Sequence, residues 1–173
     1  MSQKSKQIFN GRIIQLEVET VKLPNGSIAE MEIVRHPGGA AVVAMDNASR
    51  VCLLKQYRYV VNEWVWELPA GKIDDQEPSF ETAKRELEEE AGVIAHHWDE
   101  LGHVISSPGV FDEKVYLYLA QELEEVKQQP EEHEVFEIHW IDFDEALEWA
   151  YQGKISDGKT VVALARTRNL LNL

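Results

Sequence analysis

Gly71 to Val93, GKIDDQEPSFETAKRELEEEAGV, constrains this chain more than any other stretch. Pro78 suits the first turn of a helix, where a missing backbone N–H costs nothing. Gly92 suits the position just past the end, where a left-handed conformation is often required. Between them Phe80, Ala83, Leu87 and Ala91 recur at helical spacing and form one apolar stripe. Beside the stripe Glu86, Glu89 and Glu90 stand at i, i+3 and i+4, which crowds three carboxylates onto one face. Like charges at that spacing destabilise a helix by roughly 0.2–0.5 kcal/mol per pair, so the cluster calls for a positive charge. A bare run of glutamates is usually a solvated surface. These three instead flank a core-facing stripe, in a segment framed by glycines and led in by Leu68-Pro69-Ala70. An oxygen-only cluster of this kind suits a hard cation, Mg²⁺ above all, which keeps several waters and bridges to substrate phosphates.

As a pattern the stretch reads Gly71, five residues, Glu77, seven residues, Arg85-Glu86-Leu87, one residue, Glu89-Glu90, one residue, Gly92 and an apolar Val93. It resembles the Nudix box and agrees with it at every fixed position. The resemblance implies a Nudix hydrolase, an enzyme that cleaves a nucleoside diphosphate linked to another group. It implies an α+β chain folded as an α/β/α sandwich with a mixed sheet. It also implies that Glu86, Glu89 and Glu90 hold the metal, with the Ala70 backbone carbonyl as a further ligand. Mg²⁺ is then the expected cofactor and Mn²⁺ its substitute. Arg85 reads as an orienting partner for neighbouring carboxylates, while Glu77 either approaches the metals or holds the loop.

Three pieces outside the box narrow the resemblance to ADP-ribose pyrophosphatases. Ser106-Ser107-Pro108-Gly109, leading into Phe111-Asp112-Glu113, is similar to their SPG(F)xDE loop, although alone it is also an ordinary Pro-Gly turn. Glu131-Glu132-His133-Glu134 is similar to their acidic ExE loop. By that likeness Glu132 is the base and Glu134 a second carboxylate, with Glu89 sharing in catalysis. Lys55-Gln56-Tyr57-Arg58 is similar to a strand end whose arginine reaches substrate, so Arg58 is a candidate phosphate or ribose contact, its fork suited to phosphate. Glu113 joins it in orienting substrate. There is one departure. Relatives often carry an arginine just before the Glu32-Ile33-Val34 segment, where Glu30-Met31 stand here, which leaves Arg35 as the nearby substitute. Trp64 and Trp66 read as core. The implied reaction is hydrolysis of ADP-ribose to AMP and ribose 5-phosphate. The alternatives are another nucleoside diphosphate sugar such as GDP-mannose or ADP-glucose, or a non-catalytic ADP-ribose sensor.

At 173 residues and 44% hydrophobic, the chain suits one ordinary domain with a small appendage. Lys+Arg 17 against Asp+Glu 31, a formal net of −14, argues against nucleic acid or an anionic membrane as partner. The same charge requires substrate phosphate to be received locally, by metal and a few arginines. The single Cys52 has no intramolecular disulfide partner and reads as a small core residue in a reducing compartment. The N-terminal MSQKSKQIFNG lacks the apolar stretch of a signal peptide. No run approaches the ~18 apolar residues of a membrane helix. A cytoplasmic location is expected.

Arg12 to Lys22 alternates apolar and polar residues, Pro24-Asn25-Gly26 signals a turn, and Ala29 to Arg35 returns as the partner strand. An isolated hairpin is marginal in water, so residues 1–37 are expected to form a β-hairpin that packs on something, a second subunit being one candidate. The hydrolase domain is expected over residues 38–173. Its apolar runs Ala40–Met45 and Val51–Leu54 predict central strands buried on both faces. Further strands are expected at Trp64–Leu68, Leu101–Ile105, Lys114–Ala120 and Glu134–Ile141. Asp142 or Asp144 can cap a helix ended by Gly153, and Asp157 can cap a last one from Lys159 to Leu170.

Overall fold

The computed structural model describes residues 4–129, 133 and 135–173. The N-terminal alternation produces β2 (Gln15–Lys22) and β3 (Ile28–Arg35), an antiparallel pair closed by the Pro24-Asn25-Gly26 turn, with Gly26 at a φ of 87°. A strand not read from the sequence, β1 (Lys4–Asn10), pairs with β2 and makes this a three-stranded sheet instead of a hairpin. Residues 5–10 are all exposed, so β1 has no buried face whose alternation would announce it.

The two apolar runs become β4 (Gly39–Ala44) and β5 (Arg50–Arg58). Every residue of β4 is buried, and its neighbours alternate between two cores. Ala41 and Val43 join Val51 and Leu53 in one; Ala40, Val42 and Ala44 join Cys52 and Leu54 in the other. Successive strand side chains point to opposite faces, so both faces of this region are covered. The chain continues through β6 (Glu63–Glu67), β7 (Ala70–Lys72), α1 (Ser79–Glu86), β8 (Val93–Ile105), β9 (Lys114–Glu125), β10 (Phe136–Asp142), α2 (Phe143–Tyr151) and α3 (Gly158–Leu171).

One sheet has the order β7-β4-β9-β8 and is mixed, because β4 runs parallel to β9 and the other pairs are antiparallel. The other, β10-β5-β6, is antiparallel. α2 and α3 supply Phe143, Leu147, Ala163 and Leu164 to the first core, while Ala83, Leu87 and Ala91 of the box segment close the second. The result is the expected α/β/α arrangement. Both helix caps are as read. Asp142 accepts from the N–H groups of Asp144 and Glu145, and Asp157 accepts from that of Thr160 at 3.1 Å. β8 is longer than expected, beginning at Val93 instead of Leu101. Its first half includes exposed His96 and His97, and a bulge near Gly102 interrupts its period.

Candidate active site

The box segment departs from a plain α-helix. Pro78 lies just outside it, in extended conformation, and α1 starts at Ser79. After Glu86 the helix widens into a π-helical turn, Leu87–Ala91, which ends at Gly92 with a left-handed φ of 65°. Turns of this kind recur at functional sites, and a 3.6-residue period does not reveal them. Ala83, Leu87 and Ala91 stay in the core as expected. Two of the carboxylates go in beside them: Glu86 is 7% exposed and Glu90 1%, whereas the side chain of Glu89 is 35% exposed.

Burying carboxylates is costly unless they are paired. The positive charge that the cluster calls for is Arg85. Its Nη1 donates to Glu86 at 2.7 Å and Glu89 at 3.1 Å, and its Nη2 to Glu77 and the Lys72 carbonyl, both at 3.2 Å. Glu77 also accepts from the Thr82 hydroxyl at 2.8 Å, the contacts of a loop-holding residue. The Arg85 hydrogen bond holds the Glu77 carboxyl below its ordinary value. Glu90 accepts the backbone N–H of Ala70 at 2.7 Å. Burial, with the Glu90 charge adding, pushes the Cys52 thiol up to about 12. Gly71 has its own reason to be glycine. A Cβ there would lie 1.8 Å from Glu86 Oε1, so a carboxylate takes the space a side chain would fill.

With Arg85 among them, no three acidic, His or Cys side chains among the described residues converge as metal ligands. The donor chemistry nevertheless fits a hard divalent cation. Glu86, Glu89 and Glu90 offer only oxygen, and two of them are buried within the Ala70–Gly71 cradle.

A cleft of about 1220 Å³ opens beside this segment. Its lining includes six Lys or Arg residues (Arg12, Arg58, Lys72, Arg85, Lys159, Arg166) against four acidic ones (Asp74, Glu86, Glu113, Asp157). Four of the six are ion-paired with carboxylates in or behind the wall: Arg58 and Lys159 with Glu67, Lys72 with Asp74, and Arg85 with Glu77, Glu86 and Glu89. Cations are nevertheless gathered here in a chain of 17 basic against 31 acidic residues.

Arg58 and Glu113 both line the cleft, Arg58 bonded to Glu67 and Glu113 lying 3.2 Å from His36 Nδ1. Arg35 sits elsewhere. It ion-pairs with Glu17, Glu19 and Asp112, and Asp112 also accepts the N–H of His36 at 2.9 Å. These bonds, with Val34 N–H to the Val110 carbonyl at 2.8 Å, fasten the Pro108-Gly109 loop to the end of β3. Glu132 and Glu134 lie outside the described residues. Sequence reasoning missed Arg12, Arg166, Glu67 and Lys159 as cleft or cleft-wall residues. The segment around Lys159 carries only the signal of a helix cap.

Residues 35–166 match the family model described as the NUDIX domain. The chain is 39% identical to the methanol dehydrogenase activator of Bacillus methanolicus, over 93% of this chain and 88% of that one. It is 38% identical to the ADP-ribose pyrophosphatase of Bacillus subtilis (strain 168), over 92% of this chain and 87% of that one. Among solved structures it resembles an ADP compounds hydrolase with a TM-score of 0.83 and 22% identity, covering 98% of this chain and 92% of that one, a likeness of fold. With the complete box, the fold and the match over most of its length, this chain belongs to the NUDIX domain family.

Proposed function

We propose that this chain is a Mg²⁺-dependent pyrophosphatase that hydrolyses ADP-ribose to AMP and ribose 5-phosphate. The observation that carries the reading is the box itself: two buried carboxylates, Glu86 and Glu90, held against Gly71 and Ala70 beside a cleft rich in cations. The relative named ADP-ribose pyrophosphatase, 38% identical, supports the choice of substrate. Glu86, Glu89, Glu90 and the Ala70 carbonyl are the proposed metal ligands, and Mn²⁺ is the expected substitute. A cation held there would supply charge neutralisation at the diphosphate and a more acidic water. Glu132 is the proposed base for the attacking water, with Glu134 as second carboxylate, and Glu89 would take part in both metal binding and catalysis. Arg58 and Glu113 orient the substrate. Arg85 keeps the carboxylates in place.

Residues 1–37 serve, in the same reading, as a dimerisation unit on the domain of residues 38–173. Ile8, Phe9, Ile13 and Ile28 are each at least half exposed there, and burying such a set against a second copy is favourable. A monomer by light scattering at micromolar concentration contradicts that part. The reading also includes a cytoplasmic location, with neither nucleic acid nor membrane as partner, in keeping with a net charge of −14. The activity is tested by turnover against ADP-ribose, ADP-glucose, GDP-mannose, NADH and diadenosine polyphosphates, with and without Mg²⁺. A metal-dependent preference for ADP-ribose is expected. Preference for a hexose nucleotide overturns the substrate, and stoichiometric ADP-ribose binding without product overturns the enzyme in favour of a sensor.

A further inference from the structure

Lys159 and Arg58 enter the cleft from distant parts of the chain, on α3 and β5, yet both close on the same carboxylate. Glu67, the last residue of β6, has a side chain only 4% exposed. Its Oε1 accepts from Arg58 Nε at 2.6 Å. Its Oε2 accepts from Arg58 Nη2 at 2.8 Å and from Lys159 Nζ at 2.5 Å. Lys159 Nζ also lies 3.0 Å from Asp157 Oδ2. That oxygen accepts the Thr160 hydroxyl at 2.6 Å, and the hydroxyl oxygen in turn accepts the N–H of Leu68 at 3.0 Å. Thr160 and Leu68 are 0% and 1% exposed. A continuous chain of bonds thus fixes both cations to the strand that leads into the box.

We infer that Glu67 is a positioning residue that presents Arg58 and Lys159 as a paired cation site for the phosphates of the substrate. The inference deepens the proposed function and rests on it for the nature of the ligand. Donor arithmetic supports it. Glu67 engages Nε and Nη2 of Arg58, and Nη1 makes no hydrogen bond among the described residues. The ammonium of Lys159 carries three donors, of which Glu67 and Asp157 use two. Each cation therefore keeps a donor for an incoming anion. Two carboxylates hold the largely buried Lys159 ammonium and the more exposed Arg58 guanidinium in place, and rigid cations lose little side-chain entropy when a phosphate arrives. In a chain of net charge −14 such fixed local cations matter, because the wider field repels the ligand.

The test is calorimetric titration of ADP into the full-length wild type, Lys159→Met, Glu67→Gln and the double variant, with thermal midpoints recorded for each. Methionine keeps the length of the lysine stem, so Lys159→Met isolates the charge, and its titration decides the matter where Glu67→Gln does not fold. Lys159→Met is expected to weaken ADP about tenfold, and Glu67→Gln at least as much, since it removes the charge that both cations share and frees the Arg58 fork. The double variant binds no worse than Glu67→Gln within about twofold, because the two act as one unit. With ADP-ribose the loss falls on KM, with kcat little changed, a split that a merely structural role does not produce. ADP affinity unchanged in Lys159→Met, or a wild type that does not bind ADP, overturns the inference. A wild type that binds ADP with this dependence but does not turn over ADP-ribose sinks the hydrolase reading and leaves the cation site standing.

Discussion

Replacing Gly71 by alanine separates function from stability. The added Cβ would lie 1.8 Å from Glu86 Oε1, 2.1 Å from its Cδ and 2.6 Å from Oε2. Ordinary contact begins at 3.4 Å, so the carboxylate must withdraw by 3.4 − 1.8 = 1.6 Å. That movement disrupts the 2.7 Å hydrogen bond from Arg85 and takes Glu86 off its place at the cleft. The atoms in the way are the end of a side chain, so the backbone has no need to move. The expected stability loss is near the lower end of overpacking, about 1 kcal/mol, which lowers Tm by about 2–4 °C in a domain of this size. Misplacing a reacting group by ~1 Å costs on the order of 10²-fold in rate. Gly71→Ala should therefore lose about 10²-fold in Mg²⁺-dependent kcat/KM on ADP-ribose while its calorimetric transition stays cooperative. Activity within about threefold of wild type refutes the reasoning, because Glu86 would then have no fixed task.

Glu90→Gln keeps the shape and the Ala70 contact but removes a charge; turnover should nearly vanish with the fold intact, and retained activity removes Glu90 from the metal site. Arg85→Met leaves Glu86 buried beside Glu77 and Glu89 without its cation, which should cost about 3 kcal/mol in urea denaturation; a loss below about 0.5 kcal/mol shows that the network is solvated. Glu67 titrates at about 2, against an ordinary 4.5: burial alone raises it, and Arg58 and Lys159 more than offset burial. Because its folded value is depressed, its contribution is complete above pH 4.5 and is lost as pH falls towards 2. The stability gap between wild type and Glu67→Gln should close across that window, and a gap independent of pH contradicts the pairing. Cys52, buried with a thiol pushed up to about 12, should resist alkylation at pH 8 until the chain is denatured. Rapid labelling of the native protein refutes its burial.

The strands that carry the cleft were legible because burial imposes a pattern. Ala40–Met45 and Val51–Leu54 are apolar throughout because both faces of β4 and β5 meet a core. The box carboxylates Glu86, Glu89 and Glu90 were legible because the box fixes them by spacing. β1 was not, since an exposed edge strand leaves no pattern in its sequence. The π turn at Leu87–Ala91 was hidden because it keeps Leu87 and Ala91 on the core side, as a plain helix does. Glu67 and Lys159 are 92 residues apart, and only the tertiary fold brings them to 2.5 Å. Arg35 shows the converse. Its place in the sequence suggested substrate and gave no sign of the ion pairs with Glu17, Glu19 and Asp112 that join β2 and β3 to the Pro108 loop.

The proposed activity is metal-dependent cleavage between the two phosphates of ADP-ribose at the box carboxylates. Chromatography of products from wild type and Glu90→Gln, with Mg²⁺ and with the metal chelated, tests it most directly. AMP and ribose 5-phosphate in equal amounts, from wild type with Mg²⁺ alone, is the predicted result. The same products from Glu90→Gln, or from chelated wild type at an unchanged rate, contradict it.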